Sequence, residues 1–331
     1  MQQRQIGPFR VNPIGLGCMN VSMGYGARLD DDASGRLFND ALDLGYDFLD
    51  TAALYGAGHN ESLIGRYLSH RRDEYTLASK CGILRADDGR TVIDGHPETI
   101  TATCEQSLRQ LDTDVIDLYY LHRIDPKVPV EDSVGALSRL VEAGKIRSIG
   151  LSEISSDSLR RAHSVHPISA VQSEYSLWTR TPERRMLATC AELDVAFVAF
   201  SPLARQFLTG RGGDLTTLDA DDIRVSIARP RFEPENYARN RELLVPFGEI
   251  AARVGCSMAQ LALAWLLARD ARVIPIPGTK HPDWMRENLG AAKVELDADT
   301  VAELDALINE DTVSGRRYTD ALMASTDSEQ D

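Results

Sequence analysis

The chain has 331 residues and a formal charge of −14 at pH 7, from 50 acidic against 36 basic side chains, with no basic block. That balance opposes nucleic acid and anionic membranes as partners, although a local basic cluster can still hold a phosphate within a Debye length of about 8 Å. Cys18, Cys81, Cys104, Cys190 and Cys256 form no CxxC pair and are odd in number, which argues against a disulfide framework or structural zinc and for a reducing, cytoplasmic compartment; no metal is expected.

The first residues lack an apolar h-region, and no apolar run reaches the length of a membrane span, so neither a signal peptide nor a membrane anchor is expected. Residues 4–11 alternate about Gly7-Pro8 and predict a short β-hairpin across a barrel floor. Apolar runs then recur at 13–17, 48–49, 75–79, 115–121, 146–151, 170–172, 195–200 and 273–276 and read as eight strands. Between them, 33–44, 61–68, 98–111, 134–143, 157–163, 182–193 and 283–289 show helical periodicity, with Asp32 and Gly45 as start and stop signals of the first.

Such alternation implies parallel strands joined by right-handed crossovers. Eight units favour a (β/α)8 TIM barrel over an open sheet, as one domain over 1–331. The nearest dinucleotide fingerprint, Gly56-Ala57-Gly58-His59-Asn60-Glu61, lacks its third glycine. Polar, glycine-rich 204–234 breaks the rhythm and reads as a structureless functional loop. Extra C-terminal helices are predicted over 235–254, 257–268 and 297–307, and a disordered tail from about 322.

Four ionisable residues carry the chemistry. Asp50, Lys80 and His122 stand at predicted strand ends, and Tyr55 follows Asp50 in the next loop; in a barrel such positions converge on one site. A phenol is a poor acid at neutrality, with a pKa of roughly 10, but a nearby ammonium stabilises its phenolate and an imidazole can pass charge to it. Tyr55 is therefore a candidate proton donor for carbonyl chemistry, against a structural ion-pair cluster as the plain alternative.

These segments resemble the aldo-keto reductase superfamily. The resemblance rests on Phe48-Leu49-Asp50-Thr51-Ala52 with Tyr55-Gly56, Ala78-Ser79-Lys80, Asp117-Leu118-Tyr119-Tyr120-Leu121-His122, Gly150-Leu151-Ser152, Phe200-Ser201-Pro202-Leu203, and Pro275-Ile276-Pro277-Gly278-Thr279-Lys280 before Glu287-Asn288. It is closest to the microbial, fungal and plant branch carrying Tyr-Leu-His-Arg and Gln-Ser-Glu-Tyr-Ser-Leu-Trp. The resemblance implies a barrel binding NADPH, in preference to NADH, at the carboxyl ends of the strands, and reduction of aldehydes or ketones. Tyr55 would donate the proton, Lys80 depress its pKa, Asp50 hold Lys80, and His122 orient the carbonyl.

By the same resemblance Gly17, Cys18 and Met19 lie beneath the ribose and nicotinamide, Ser152 and Gln172 meet the carboxamide, and Phe200 stacks on the ring. Pyrophosphate is assigned to Ser201, Pro202, Leu203 and Arg205, where the usual pattern has glycine in place of Ala204 and Gln206. The adenosine end falls to Gly278, Thr279, Lys280, Trp284, Glu287 and Asn288, with Lys280 and a helix start for a 2′-phosphate. Many members have asparagine at Glu153, which is thus either a cofactor contact or a helix-start charge. Tyr25, Leu84, Arg123 and Trp178 are expected to wall a pocket for a small carbonyl substrate.

Other signals are weaker. His163 and His166 lack a third metal ligand nearby, and Glu174 with Asp50 is a remote candidate for a glycosidase pair. Two rival functions remain: a barrel lyase using Lys80 as Schiff-base lysine, and an NADPH-binding regulatory subunit of low turnover. Oligomeric state is left open.

Overall fold

In a computed structural model of the chain, which describes residues 2–85, 90–324 and 326–331, the predicted alternation becomes a closed barrel. An N-terminal hairpin, β1 (Arg4–Ile6) and β2 (Phe9–Val11), precedes the barrel strands β3 (Leu16–Gly17), β4 (Phe48–Asp50) and β5 (Thr76–Cys81). A second hairpin follows, β6 (Ile83–Arg85) and β7 (Thr91–Ile93), then β8 (Ile116–Leu121), β9 (Ile146–Ser152), β10 (Ile168–Glu174), β11 (Ala196–Phe200) and β12 (Val273–Pro275). The barrel order is β3-β4-β5-β8-β9-β10-β11-β12, every pair parallel. Gly15 N–H donates to Pro275 O at 3.0 Å and ties the two ends together.

Parallel strands covered on both faces read as continuous apolar runs, as in fully buried Ile116–Leu121. Phe48, Ala78, Leu118, Tyr120, Ala170, Ala196, Val198 and Ile274 fill the barrel, and Ile6 and Val11 of the hairpin join them. The hairpin therefore plugs the barrel, as its alternation predicts.

The helices are α1 (Asp31–Leu44), α2 (His59–Leu68), α3 (Pro97–Gln110), α4 (Val130–Glu142), α5 (Ser156–Val165), α6 (Met186–Leu193), α7 (Arg229–Phe232), α8 (Pro234–Glu242), α9 (Leu244–Val254), α10 (Met258–Arg269), α11 (Pro282–Gly290), α12 (Ala298–Leu307) and α13 (Asp320–Ala324). Asp30, not Asp32, caps α1, accepting from Ala33 N–H at 2.8 Å, and Gly45 ends it at φ +102°. The helix predicted over 235–254 is two, because Pro246 in the first turn of α9 has no N–H to continue α8. No single helix among the described residues is long and apolar enough to cross a membrane; the bent run of α8, α9 and α10 passes such a test only as a pair turned by 80°.

Two expectations are corrected. Residues 204–234 are not structureless: two short 3-10 turns, Phe207–Thr209 and Leu215–Thr217, and α7 fold back onto the barrel. Phe207 stacks on Trp178 with centroids 4.1 Å apart, and Phe232 meets the same indole edge-on at 5.5 Å.

The tail is also placed. Of the stretch predicted as disordered, Ser325 lies outside the described residues, but Asp327 accepts from Ser155 N–H at 2.7 Å and Asp331 from Ser156 N–H at 2.9 Å. Both carboxylates meet the N-terminus of α5, where unpaired amides favour negative charge.

Gly65 marks the tightest helix contact: a Cβ there would stand 2.3 Å from Gln110 O and 2.7 Å from Leu111 C, both backbone atoms. Gly65→Ala is expected to lower stability by about 1–3 kcal/mol through forced separation of α2 and α3, measured as a fall in the urea midpoint at constant slope.

Candidate active site

Parallel register brings the ionisable residues together. Asp50 ends β4 opposite Ala78, Lys80 lies on β5 opposite Tyr120, and His122 follows β8. Asp50 and Lys80 are buried and ion-paired, and Gln172 of β10 donates to the second Asp50 oxygen at 2.7 Å. Lys80 Nζ also donates to Thr51 O at 2.8 Å and lies 3.3 Å from the half-buried Tyr55 hydroxyl. The Tyr55 and His122 rings meet edge-on with centroids 6.0 Å apart.

The electrostatics qualify the expectation for Tyr55. Burial pushes its hydroxyl above the ordinary phenol value, and the Lys80 ammonium only partly pulls it back. The phenol is thus held protonated, not strongly acidified. Burial works against the Lys80 charge too, but Asp50 and Tyr55 together hold the ammonium above its usual range. His122 is pushed well below the usual imidazole range by burial, then by Lys80 and Arg123, and is neutral at pH 7.

A cavity of about 680 Å³ opens over this cluster, within the size range of small-molecule sites. Gly17, Cys18, Met19, Tyr25, Asp50, Tyr55, His122, Arg123, Ser152, Gln172, Phe200, Ser201, Pro202, Leu203, Arg205, Gly278, Thr279, Lys280, Trp284 and Asn288 line it as the sequence reading places them. Cys18 is buried, its thiol raised chiefly by burial, and donates to Leu16 O, which suits packing and not nucleophilic attack.

Five predicted residues fall outside the lining, one of them Lys80, buried behind Tyr55 and Asp50. Trp178 is buried beneath Phe207 and Phe232 and does not wall the cavity. Leu84 pairs with Val92 in the hairpin that the sequence reading lacked, and its neighbours Ile83, Thr91 and Ile93 line the cavity instead. Glu287 is forked to Arg211 at 2.7 and 2.8 Å.

Glu153, fully buried at φ +54°, turns away from the cavity. It takes Arg317 of the C-terminal segment as its ion partner, with Ser328 Oγ donating at 2.7 Å. These contacts tie the start of the loop after β9 to the tail.

Arg205 lines the cavity, but its guanidinium forks to Glu174 at 3.0 and 2.6 Å, which accounts for the charge assigned to a phosphate. Glu174 also faces Arg317 at 3.8 Å and, unlike Asp50, does not line the cavity. Lys280 Nζ donates to Tyr25 O and Ala27 O, each at 2.7 Å. Gln206 of the assigned 201–206 segment and Tyr318, which ends the 314–318 segment expected to wall the pocket, also line it. Reasoning from sequence missed Asn20, Arg211 and Arg224, all in the lining; only the predicted helix start near Arg211's partner Trp284 pointed there, through the stacking of Arg211 on that ring at 5.2 Å.

The donor set fits a nicotinamide dinucleotide. Ser201, Ala204, Arg205 and Gln206 all have positive φ, so the loop keeps the left-handed backbone of the usual glycines without the glycines. The amides of Leu203, Arg205 and Gln206 donate to no acceptor among the described residues, and such runs of amides attract anions. Phe200 supplies an aromatic face, and Ser152 and Gln172 supply polar groups, beside Tyr55.

A barrel with a lysine-backed tyrosine at the carboxyl ends of its strands, under a cavity fitted for a dinucleotide, defines an oxidoreductase of the barrel type. The model of the Aldo/keto reductase family matches residues 13–309. A probable aldo-keto reductase 1 of Glycine max is 39% identical over 330 residues, covering 97% of this chain and 94% of that protein. Among solved structures, the glycerol dehydrogenase of Gluconobacter oxydans superposes with a TM-score of 0.83 at 27% identity, covering 92% of this chain and 94% of that one. The holo form of an aldo-keto reductase from Bacillus halodurans gives 0.75 at 27%, covering 93% and 97%. The chain belongs to the aldo/keto reductase family, whose members are nicotinamide-dependent oxidoreductases acting on carbonyl and alcohol groups.

The Glu153–Arg317 pair generates a pH prediction. Burial would raise the Glu153 carboxyl, but Arg317 and Arg123 hold it down at about 2. A depressed carboxylate stabilises the fold fully above its unfolded value, here 4.5, and loses that contribution as pH falls toward 2. Glu153→Gln, which strands Arg317, is expected to cost about 3–5 kcal/mol at pH 7 and less at pH 3.5, read as the difference between parent and variant denaturant curves.

Proposed function

We propose that this protein reduces aldehydes and ketones with NADPH, reversibly, and that Tyr55 is the proton donor. The observation that carries the reading is the Tyr55 hydroxyl 3.3 Å from a buried ammonium that Asp50 and Thr51 fix in place, at a wall of the large cavity. The nicotinamide, when bound, supplies the hydride to the carbonyl carbon. Tyr55 delivers its proton to the carbonyl oxygen as negative charge grows there, and Lys80 then stabilises the phenolate. Neutral His122 orients that oxygen by hydrogen bonding, and Gln172 holds the Asp50 carboxylate toward Lys80.

Phe200, Ser152, Gln172 and the amides of Leu203, Arg205 and Gln206 are the residues we assign to nicotinamide and pyrophosphate. Preference for the 2′-phosphate rests on Lys280, Thr279 and the start of α11, with Trp284 against the adenine. The five free cysteines support a reducing, cytoplasmic setting. The Schiff-base reading of Lys80 is opposed by its surroundings: its donors engage Asp50, Thr51 O and Tyr55, and its ammonium is stabilised, whereas a nucleophilic amine must be free and neutral.

Tyr55→Phe should lower turnover in NADPH-linked carbonyl reduction by about 10²–10⁴-fold with the cofactor Kd little changed; equal turnover removes Tyr55 from the role. Lys280→Ala should weaken NADPH more than NADH, by about tenfold in relative affinity. Equal weakening of both would assign Lys280 to the loop it holds at Tyr25 and Ala27.

A further inference from the structure

Most cations that line the cavity already have a carboxylate. Arg205 is held by Glu174, Arg211 by Glu287 and Arg224 by Asp222. Arg123 forms no ion pair among the described residues. It follows His122 at the end of β8 and is half-buried.

Its Nη1 donates to His122 O at 2.7 Å and to Ser152 Oγ at 3.3 Å, which sets the guanidinium plane across the ends of β8 and β9. The Nε–Nη2 edge has no acceptor among the described residues. Those two parallel N–H groups match the two oxygens of a carboxylate. Apolar Met23, Leu54, Ile83, Ile93 and Leu322 line the same cavity. A partly desolvated guanidinium in that setting is costly until an anion joins it. The Arg123 charge also reaches both Tyr55 and His122, so the open fork lies within electrostatic range of the reacting position.

We propose that Arg123 is a carboxylate subsite and that the preferred substrates are aldehydes or ketones carrying a carboxylate group. This rests on the reductase reading above and adds the substrate class. With a net charge of −14 the protein does not attract anions from a distance; selectivity arises on contact, not by steering.

The test compares 4-formylbenzoate with methyl 4-formylbenzoate, which differ in charge at one ring position, by NADPH oxidation. For the parent, kcat/KM should favour the acid by at least about tenfold, the worth of a charge-assisted contact. Arg123→Gln should bring the ratio near one, chiefly through a higher KM for the acid, and Arg123→Lys, with charge but no fork, should fall between. A parent ratio near one, or a ratio unchanged in Arg123→Gln, overturns the subsite while leaving the reductase reading standing. Equal losses for both aldehydes together with weaker NADPH binding by fluorescence titration also overturn it, and assign Arg123 to the cofactor. No NADPH oxidation with either compound or with a wider carbonyl panel overturns the reductase reading, and the subsite with it.

Discussion

The site depends on one buried ion pair. Lys80 and Asp50 are almost without solvent contact, and isolated charges there would be costly. Each is stabilised because its remaining hydrogen-bonding groups are filled: Gln172 completes Asp50, and Thr51 O and Tyr55 complete Lys80. The partners come from β4, β5, β10 and the loop after β4, so only a closed barrel in this register assembles them. Within that assembly Lys80 is the main group favouring the Tyr55 phenolate, since the burial of Tyr55 works the other way.

A second cluster of buried charge supports the cofactor side. Glu153, Glu174, Arg205 and Arg317 link the ends of β9 and β10 to the C-terminal segment and to the loop at 201–206. Left-handed backbone at Ala204, Arg205 and Gln206 costs roughly 1–2 kcal/mol per residue. The Arg205–Glu174 fork pins the middle of that strained run, and Arg317, paired with Glu153, stands 3.8 Å from Glu174 and links the two pairs. The departure from asparagine at Glu153 therefore coincides with a tail that folds back and whose Tyr318 and Leu322 reach the cavity.

What was legible in the sequence is what local pattern encodes. The eight strands show as short apolar runs because both faces of a barrel strand are covered, and the catalytic candidates show because chemistry of that kind sits where those runs stop. Contacts between distant residues left no local trace. Trp178 reads as a pocket aromatic until Phe207, far along a polar loop, is seen stacked on it. Glu153 meets Arg317 across 164 residues, and the polar tail reads as disordered because its partners are backbone amides of α5. Leu84 was misplaced by one position: in a hairpin, adjacent side chains point to opposite faces, so Ile83 lines the cavity. The sign of the Tyr55 shift was illegible for a related reason, since burial belongs to the fold.

The central claim is that the Lys80 ammonium stabilises the Tyr55 phenolate. It is tested most directly by the pH profile of alcohol oxidation, where Tyr55 must act as base, in the parent and in Lys80→Met. The account predicts that the acid-side limb of kcat/KM moves upward by at least about one pH unit in the variant, because the phenolate loses its counter-charge. A limb that stays in place while the variant remains folded and binds NADP⁺ would contradict it.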